Sequence, residues 1–315
     1  MALVRYLPTQ TNFRFMAYNR IIAVITALYV VGFIGWIALH GLNLGIDFEG
    51  GLLMEVQSER AIDLAGVRAA FDSESYGDVS VQHFGADNEL LLRLGTATNT
   101  DSAAFTQQVQ QVLRAQLGDD IVFRRVDYVG SVVGNEMLMD GIYALLLAFA
   151  GMVMYIWFRF EWQFALGGLL ALMHDTLFIL GFYALTGMEF GLTAVAAILT
   201  VIGYSINDSV VIFDRVRENM RIHSSRPLHE LIDMSLNQTL SRTILTGMTT
   251  LLAATALAVF GGAVIEGFAW ALVVGVMVGT YSSVYIGSPV LLCFRLSVKA
   301  FAEEDAREHM RHPTA

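Results

Sequence analysis

Apolar residues gather in six stretches of this chain, and almost all polar residues fall between them. The stretches run Ile21–Leu39, Gly141–Phe158, Phe164–Thr186, Gly191–Phe213, Thr243–Phe260 and Phe268–Phe294. About 20 mostly apolar residues suffice to cross the hydrocarbon core of a bilayer, so each stretch predicts a transmembrane helix. The first is too long for a secretory signal and no A-x-A cleavage site follows it, so it reads as an anchor. Between the first and second stretches the period changes. Gly51–Gln57 reads as a strand and Ala61–Phe71 as a helix. Asp78–Phe84 and Glu89–Leu94 alternate like strands around a turn at Gly85–Asn88. Thr100–Leu117 sets Phe105, Val109, Val112 and Leu113 on one helical stripe that Gly118 ends, and Ile121–Val129 reads as a last strand. The order β-α-β-β-α-β is that of the ferredoxin-like split unit.

The expected architecture is an α-helical membrane protein of six transmembrane helices, with one external α+β ferredoxin-like domain inserted between helices 1 and 2. By position this is a cytoplasmic N-terminus (1–20), helix 1 (21–40), the external domain (41–138), helices 2–6 (139–294) with a cytoplasmic loop at 214–241, and a cytoplasmic tail (295–315). That loop is polar and predicts an amphipathic helix near the membrane surface, broken around Ser224–Pro227.

Composition agrees: 55% of residues are hydrophobic, only 15% are charged, and the mean hydropathy is +0.56. The basic residues give an orientation. Arg5, Arg14 and Arg20 precede the first span, Arg159 lies in the turn after the second, and Arg215, Arg217, Arg221 and Arg226 follow the fourth. Arg295, Lys299, Arg307 and Arg311 follow the sixth, whereas the turns at Thr186–Phe190 and Gly261–Gly267 carry no Lys or Arg. The positive-inside rule then puts both termini in the cytoplasm. The net charge of −10 resides mostly in residues 41–138, which hold six Arg against fifteen Asp and Glu. Such a balance excludes a nucleic-acid binder, which needs a basic face. A single cysteine, Cys293, excludes an internal disulfide.

Candidate chemistry lies inside the spans. Asp208 is the only formal charge between Gly191 and Phe213. A carboxylate there costs several kcal/mol unless it faces a polar interior, finds a partner or takes up a proton, and intramembrane acids mark ion and proton pathways. Arg242 opens the next span, and antiparallel neighbours would bring the two to a similar depth. The alternative for Arg242 is snorkelling to the headgroups. Desolvation and a nearby guanidinium would push the carboxyl in opposite directions, which suits a group that loads and releases a proton. Asn207 is grouped with this pair. His174 and Asp175 lie midway along the third span and serve either as relay or as polar glue between helices; Ser205 and Thr246 carry the same two readings. Glu189 and Glu266 sit at external span ends, where a solvated carboxylate is ordinary. Gly275 and Gly279, four apart, suit close helix contact. The external segment holds no nucleophile–base pair, metal-ligand cluster or phosphate loop, and the 14 Met lack the His or Cys company of a metal pathway. A carrier is expected rather than an enzyme, with no cofactor and no metal. An aspartyl-protease dyad of Asp175 and Asp208 fares badly, since Ile206 stands where glycine is expected and a nearby Arg opposes a shared proton.

Several motifs together resemble the SecD/SecF family of bacterial protein-export membrane proteins, on its SecF side, within the RND superfamily of proton-driven transporters. They are Gly45-Ile46-Asp47-Phe48-Glu49-Gly50-Gly51, Val129-Gly130-Ser131-Val132-Val133-Gly134, Phe158-Arg159-Phe160-Glu161-Trp162, His174-Asp175, Gly203-Tyr204-Ser205-Ile206-Asn207-Asp208, Asp214-Arg215-Val216-Arg217-Glu218-Asn219, and Gly261-Gly262 through Glu266-Gly267-Phe268. Glu49 and Ser131 depart from the residues common in the family. The resemblance implies a multi-pass protein of the bacterial inner membrane that pairs with SecD, completing a twelve-helix arrangement related by a pseudo-two-fold. It further implies SecYEG and YajC as partners, a translocating polypeptide as cargo, and proton passage through Asp208 and Arg242 coupled to motion of the external domain. Gly45, Asp47, Phe48, Gly50 and Gly51 are the motif at that domain's root. Rivals within the same reading are half of a small-molecule transporter and a non-conducting assembly subunit. Sodium stays open as the coupling ion.

Overall fold

A computed structural model of the chain describes residues 11–71, 76–77, 79–95, 102–294, 296 and 298. Arg5, Arg295, Lys299, Arg307 and Arg311, used above for orientation, and Asp78 and Thr100, expected element starts, lie outside the described residues. The molecule is a membrane α-helical protein with a sheet domain. Among the described residues, six helices are long and apolar enough to cross a membrane. The first five are α1 (Asn19–His40), α5 (Ser131–Arg159), α6 (Trp162–Thr186), α7 (Leu192–Ile222) and α8 (Leu228–Phe260). The sixth joins α9 (Glu266–Ser282) to α10 (Ser288–Cys293) through a π turn at Ser283–Gly287. Pro289 explains that turn: it has no N–H to donate, and its ring would clash with the carbonyl four residues back. The Ser288 hydroxyl compensates by donating to the Ser283 carbonyl at 2.8 Å.

The sheet domain lies between α1 and α5. It contains α2 (Ile46–Glu49), β1 (Gly51–Gln57), α3 (Leu64–Phe71), β2 (Val79–Phe84), β3 (Ala86–Leu94), α4 (Ser102–Leu117) and β4 (Val122–Val129). Its strands are ordered β2-β3-β1-β4 and every pairing is antiparallel. That is the layout of the split β-α-β unit. One face packs Leu52, Met54, Leu90 and Leu92 against Val67, Phe71, Phe105, Val109 and Leu113 of the two helices. The sheet domain therefore has its own core.

Three expectations need correction. No turn of four residues separates β2 from β3: Gly85, with φ +89°, makes a tight reversal and β3 begins at Ala86. The helix expected from Ala61 starts at Leu64, because the Asp63 carboxylate accepts from the Ala65 N–H at 3.0 Å and sets the start there. Most importantly, residues 214–241 form no separate surface helix. The break comes at His223–Pro227, but the two arms continue α7 and α8 without interruption. They remain helical because they pack on each other: Val216, Met220, Leu231, Ile232 and Leu236 are buried, and Asn219 donates to the Ser235 hydroxyl at 2.8 Å.

Helices α6, α7 and α9 form the middle of the bundle, while α1, α5 and α8 present long exposed apolar faces. Glycine allows the close packing. A Cβ on Gly275 of α9 would collide with Val201 of α7, and one on Gly279 would lie 3.1 Å from the Ser205 Cβ. On Gly167 of α6 it would lie 2.6 Å from the Gly287 carbonyl oxygen. We therefore expect Gly275→Leu to force α7 and α9 apart, an overpacking cost of about 1–3 kcal/mol. A lowered thermal unfolding midpoint in detergent, relative to Gly151→Ala on the open face of α5, checks it.

Candidate functional site

The two intramembrane acids receive opposite treatment. Asp175 of α6 is fully buried at 0% exposure and fully answered. Its Oδ2 accepts from the Ser205 hydroxyl of α7 at 2.6 Å and from the Ser282 hydroxyl of α9 at 2.9 Å. Its Oδ1 lies 3.0 Å from His174 Nδ1, and the other ring nitrogen, Nε2, meets the Tyr29 hydroxyl of α1. One carboxylate thus joins three helices directly and a fourth through the imidazole. The π turn contributes the next layer, where the Ser283 and Ser209 hydroxyls lie 2.8 Å apart.

Asp208 lies on α7 one turn beyond Ser205. It is buried, and its Oδ1 accepts from the Thr243 hydroxyl of α8 at 2.7 Å. Its Oδ2 has no hydrogen-bond partner among the described residues. A half-answered carboxylate in an apolar bundle is unstable as it stands, and a proton or an incoming donor would complete it.

Arg242 precedes Thr243 on α8 and is exposed on the outer side of that helix. None of the ion pairs among the described residues involves Asp208 or Arg242, so the guanidinium acts on the carboxyl only through space. Asn207, next to Asp208 on α7, is exposed. The Thr246 hydroxyl donates to the backbone carbonyls of Arg242 and Thr243 at 3.0 and 3.1 Å and joins neither acid. The structure therefore brings together His174, Asp175 and Ser205, keeps Asp208 one helical turn away, and turns Arg242 and Asn207 outward. Tyr29, Ser209, Thr243, Ser282 and Ser283 complete the polar seam and were missed. Adjacent serines within an otherwise apolar span were the available signal for the last two.

The motif at the root of the sheet domain meets the other end of α7. Asp47 Oδ2 accepts from the Leu192 N–H, the first of that helix, at 2.8 Å. It thereby caps a helix N-terminus, with orphan donors and positive dipole, from a distant part of the chain. Backbone bonds reinforce the junction: Gly45 N–H donates to the Phe190 carbonyl at 3.0 Å and Phe190 N–H to the Asn43 carbonyl at 2.7 Å. The Phe48 and Phe190 rings pack 5.9 Å apart. Glycine is required on the facing side, since a Cβ on Gly191 would lie 2.6 Å from Asp47 Oδ2 and one on Gly134 2.9 Å from the Phe48 carbonyl oxygen. Gly50 and Gly51, at φ +77° and +131°, make the bend into β1.

Among the described residues no group of three or more His, Cys, Asp or Glu is placed to hold a metal ion. Residues 108–297 match the family model described as protein export membrane protein SecD/SecF, C-terminal, and residues 35–62 match the SecD/SecF GG motif. Over 292 residues the chain is 41% identical to the protein translocase subunit SecF of Rickettsia bellii (strain OSU 85-389), covering 92% of this chain and 96% of that one. The corresponding Rickettsia prowazekii (strain Madrid E) protein is 40% identical over 291 residues, at 92% and 94% coverage. A crystal structure of SecDF from Thermus thermophilus, described as a translocon-associated membrane protein, superposes with a TM-score of 0.81 at 33% identity. That match covers 94% of this chain and 40% of the SecDF chain. SecDF in a super-membrane-facing form superposes with a TM-score of 0.65 at 31% identity.

Removing a single donor to Asp175, by Ser205→Ala or Ser282→Ala, leaves Oδ2 with the other, and we expect a loss of about 1 kcal/mol. Removing both strands a buried carboxylate oxygen, so the double variant should lose more than the sum of the singles. Unfolding titrations in mixed micelles, run as a double-mutant cycle, check this.

Proposed function

The chain belongs to the SecD/SecF family of protein-export membrane proteins, and from that premise we propose that it drives polypeptide export with the proton motive force. Its partner in this reading is SecD, whose helices cover the outward face on which Arg242 and Asn207 lie. Polar side chains on a bundle surface at membrane depth are costly against lipid, so a protein neighbour is the cheaper environment. The pair works beside the SecYEG translocon, with YajC an accessory, in the bacterial inner membrane. Both termini are cytoplasmic and the sheet domain is external, following the distribution of Arg and Lys.

The single observation that supports the mechanism is the unpartnered Oδ2 of buried Asp208. A proton entering from outside neutralises this carboxyl and releases its hold on the Thr243 hydroxyl and on the Arg242 charge. Deprotonation toward the cytoplasm restores both. Each charge that crosses releases about 2.3 kcal/mol per 100 mV, enough to change a two-state helix arrangement substantially. Helix α7 carries the change outward. Asp208 lies 16 residues past Leu192, about 24 Å along the axis, and Leu192 is held by Asp47 at the root of the external domain. A shift or rotation of α7 therefore moves that root, and the emerging polypeptide is pulled or held by the domain it carries. Asp175, with every oxygen answered and bonded to Ser205 of α7, is the pivot about which α7 turns.

In inverted vesicles, Asp208→Asn should abolish the stimulation of export by a proton gradient while assembly with SecD persists. Gradient-stimulated export at the original level would reject the proposal and leave an assembly role. Collapsing proton and sodium gradients separately identifies the ion. Replacing the cap, Asp47→Ala, should cost about 1 kcal/mol at the α7 terminus and reduce gradient stimulation with Asp208 intact, whereas Asp47→Asn, which keeps an acceptor oxygen, should retain most of it.

A further inference from the structure

The end of the bundle opposite the sheet domain carries a groove of about 1450 Å³ between the N-terminal segment and the α7–α8 hairpin. Its wall is built rather than incidental. Asn237 of α8 clamps the backbone of Phe13 in both directions, accepting from its N–H at 2.8 Å and donating to its carbonyl at 2.9 Å. Asp233 accepts from the Met16 N–H at 2.9 Å. Arg14, Arg20, Arg215 and Arg226 line the groove against two acids, Glu230 and Asp233. Arg215 is engaged by Gln238 and Glu218, and Asp233 by the N-terminal backbone. No ion pair among the described residues involves Arg14, Arg20 or Arg226.

A second groove, of about 670 Å³ and apolar, lies along the membrane-spanning part of the bundle. It lies between α1, α6 and the α9–α10 end, and is lined by Ala23, Ala27, Leu177, Pro289 and Val290 among others. The two linings share no residue but approach each other on two helices. On α1, Arg20 of the polar groove is one turn from Ala23 of the apolar one, and on α10 Leu292 of the polar groove lies between Val290 and Cys293 of the other. Beyond them α1 turns an uncovered apolar face outward, with Ile21, Val24, Ile25 and Leu28 more than half exposed.

A cationic pocket at the membrane boundary beside a hydrocarbon-lined slot has the shape and polarity of one phospholipid. We infer that these grooves bind an anionic phospholipid, its phosphate diester among Arg14, Arg20 and Arg226 and one acyl chain in the slot between α1, α6 and α10. Basic pockets between transmembrane helices on the cytoplasmic side suit such headgroups, and guanidinium matches phosphate oxygens in paired hydrogen bonds. Soluble phosphates share the headgroup chemistry but leave the apolar slot unused. The inference rests on the membrane placement of the bundle and is independent of whether Asp208 conducts protons.

Native mass spectrometry of the full chain released from detergent tests it, with dioleoyl phosphatidylglycerol and dioleoyl phosphatidylcholine as competing probes. One phosphatidylglycerol should be retained in preference to phosphatidylcholine by roughly tenfold or more, from about two effective Arg contacts. The double variant Arg14→Gln/Arg226→Gln, which leaves Arg20, should cut the preference severalfold. Ala27→Trp, on an exposed slot position, should reduce retention of both lipids, and glycerol 3-phosphate, which has no chains, should displace neither. Equal retention of the two lipids overturns the inference, as does an undiminished preference in the double variant. Unchanged retention in Ala27→Trp removes the acyl-chain half. Displacement by glycerol 3-phosphate reassigns the groove to a soluble phosphate.

Discussion

Hydrocarbon offers no hydrogen bonds, so every polar atom inside this bundle must be answered by another protein atom or carry a cost. That constraint organises the middle of the molecule. Asp175 cannot be buried at the centre unless donors converge on it, and they arrive from two other helices and from His174 of its own. Ser205, Ser282 and the His174–Tyr29 pair fix how α1, α6, α7 and α9 are set against one another. Glycine at Gly167, Gly275 and Gly279 brings the backbones close enough for side chains as short as serine to reach. Neither device works alone: close packing without the hydroxyls strands a charge, and hydroxyls without close packing fall short of it.

Against this fixed centre, Asp208 stands out for what it lacks. The same helix that gives Ser205 to a complete network presents, one turn later, a carboxylate with a single donor. A bundle able to satisfy one acid so fully has left the other open in a specific place, beside the outward face of α8. Arg242 on that face, and Asn207 on α7, are exposed. The chain matches 40% of the SecDF chain in the crystal structure.

The sheet domain is joined to the bundle through a short motif rather than a flexible tether. Its first strand follows a one-turn helix whose Asp47 caps α7 and whose Phe48 is buried against Phe190. Glycines at 50, 51, 134 and 191 let these backbones touch. A domain with a separate core is thereby made to follow the end of one particular helix, the one that carries both Ser205 and Asp208.

Hydrophobic period and length alone determined the six spans, and alternation with turn chemistry determined the β-α-β-β-α-β order of the sheet domain. Both signals are local, and a bilayer leaves few alternatives to a helix for a long apolar run. The singular acid at position 208 was legible for the same reason, as was the tight approach at Gly275 and Gly279. Which atoms meet was decided by the tertiary structure. Spacing placed Arg242 at the depth of Asp208, yet helix rotation, which depends on packing against α9, gave the contact to Thr243 and turned the guanidinium outward. The polar hairpin after α7 read as a surface helix because its period is mixed; burial of Met220, Leu231 and Leu236 across the turn makes it an extension of the spans. Asp47 could be recognised only as part of a motif, since the helix it caps begins 145 residues further along the chain.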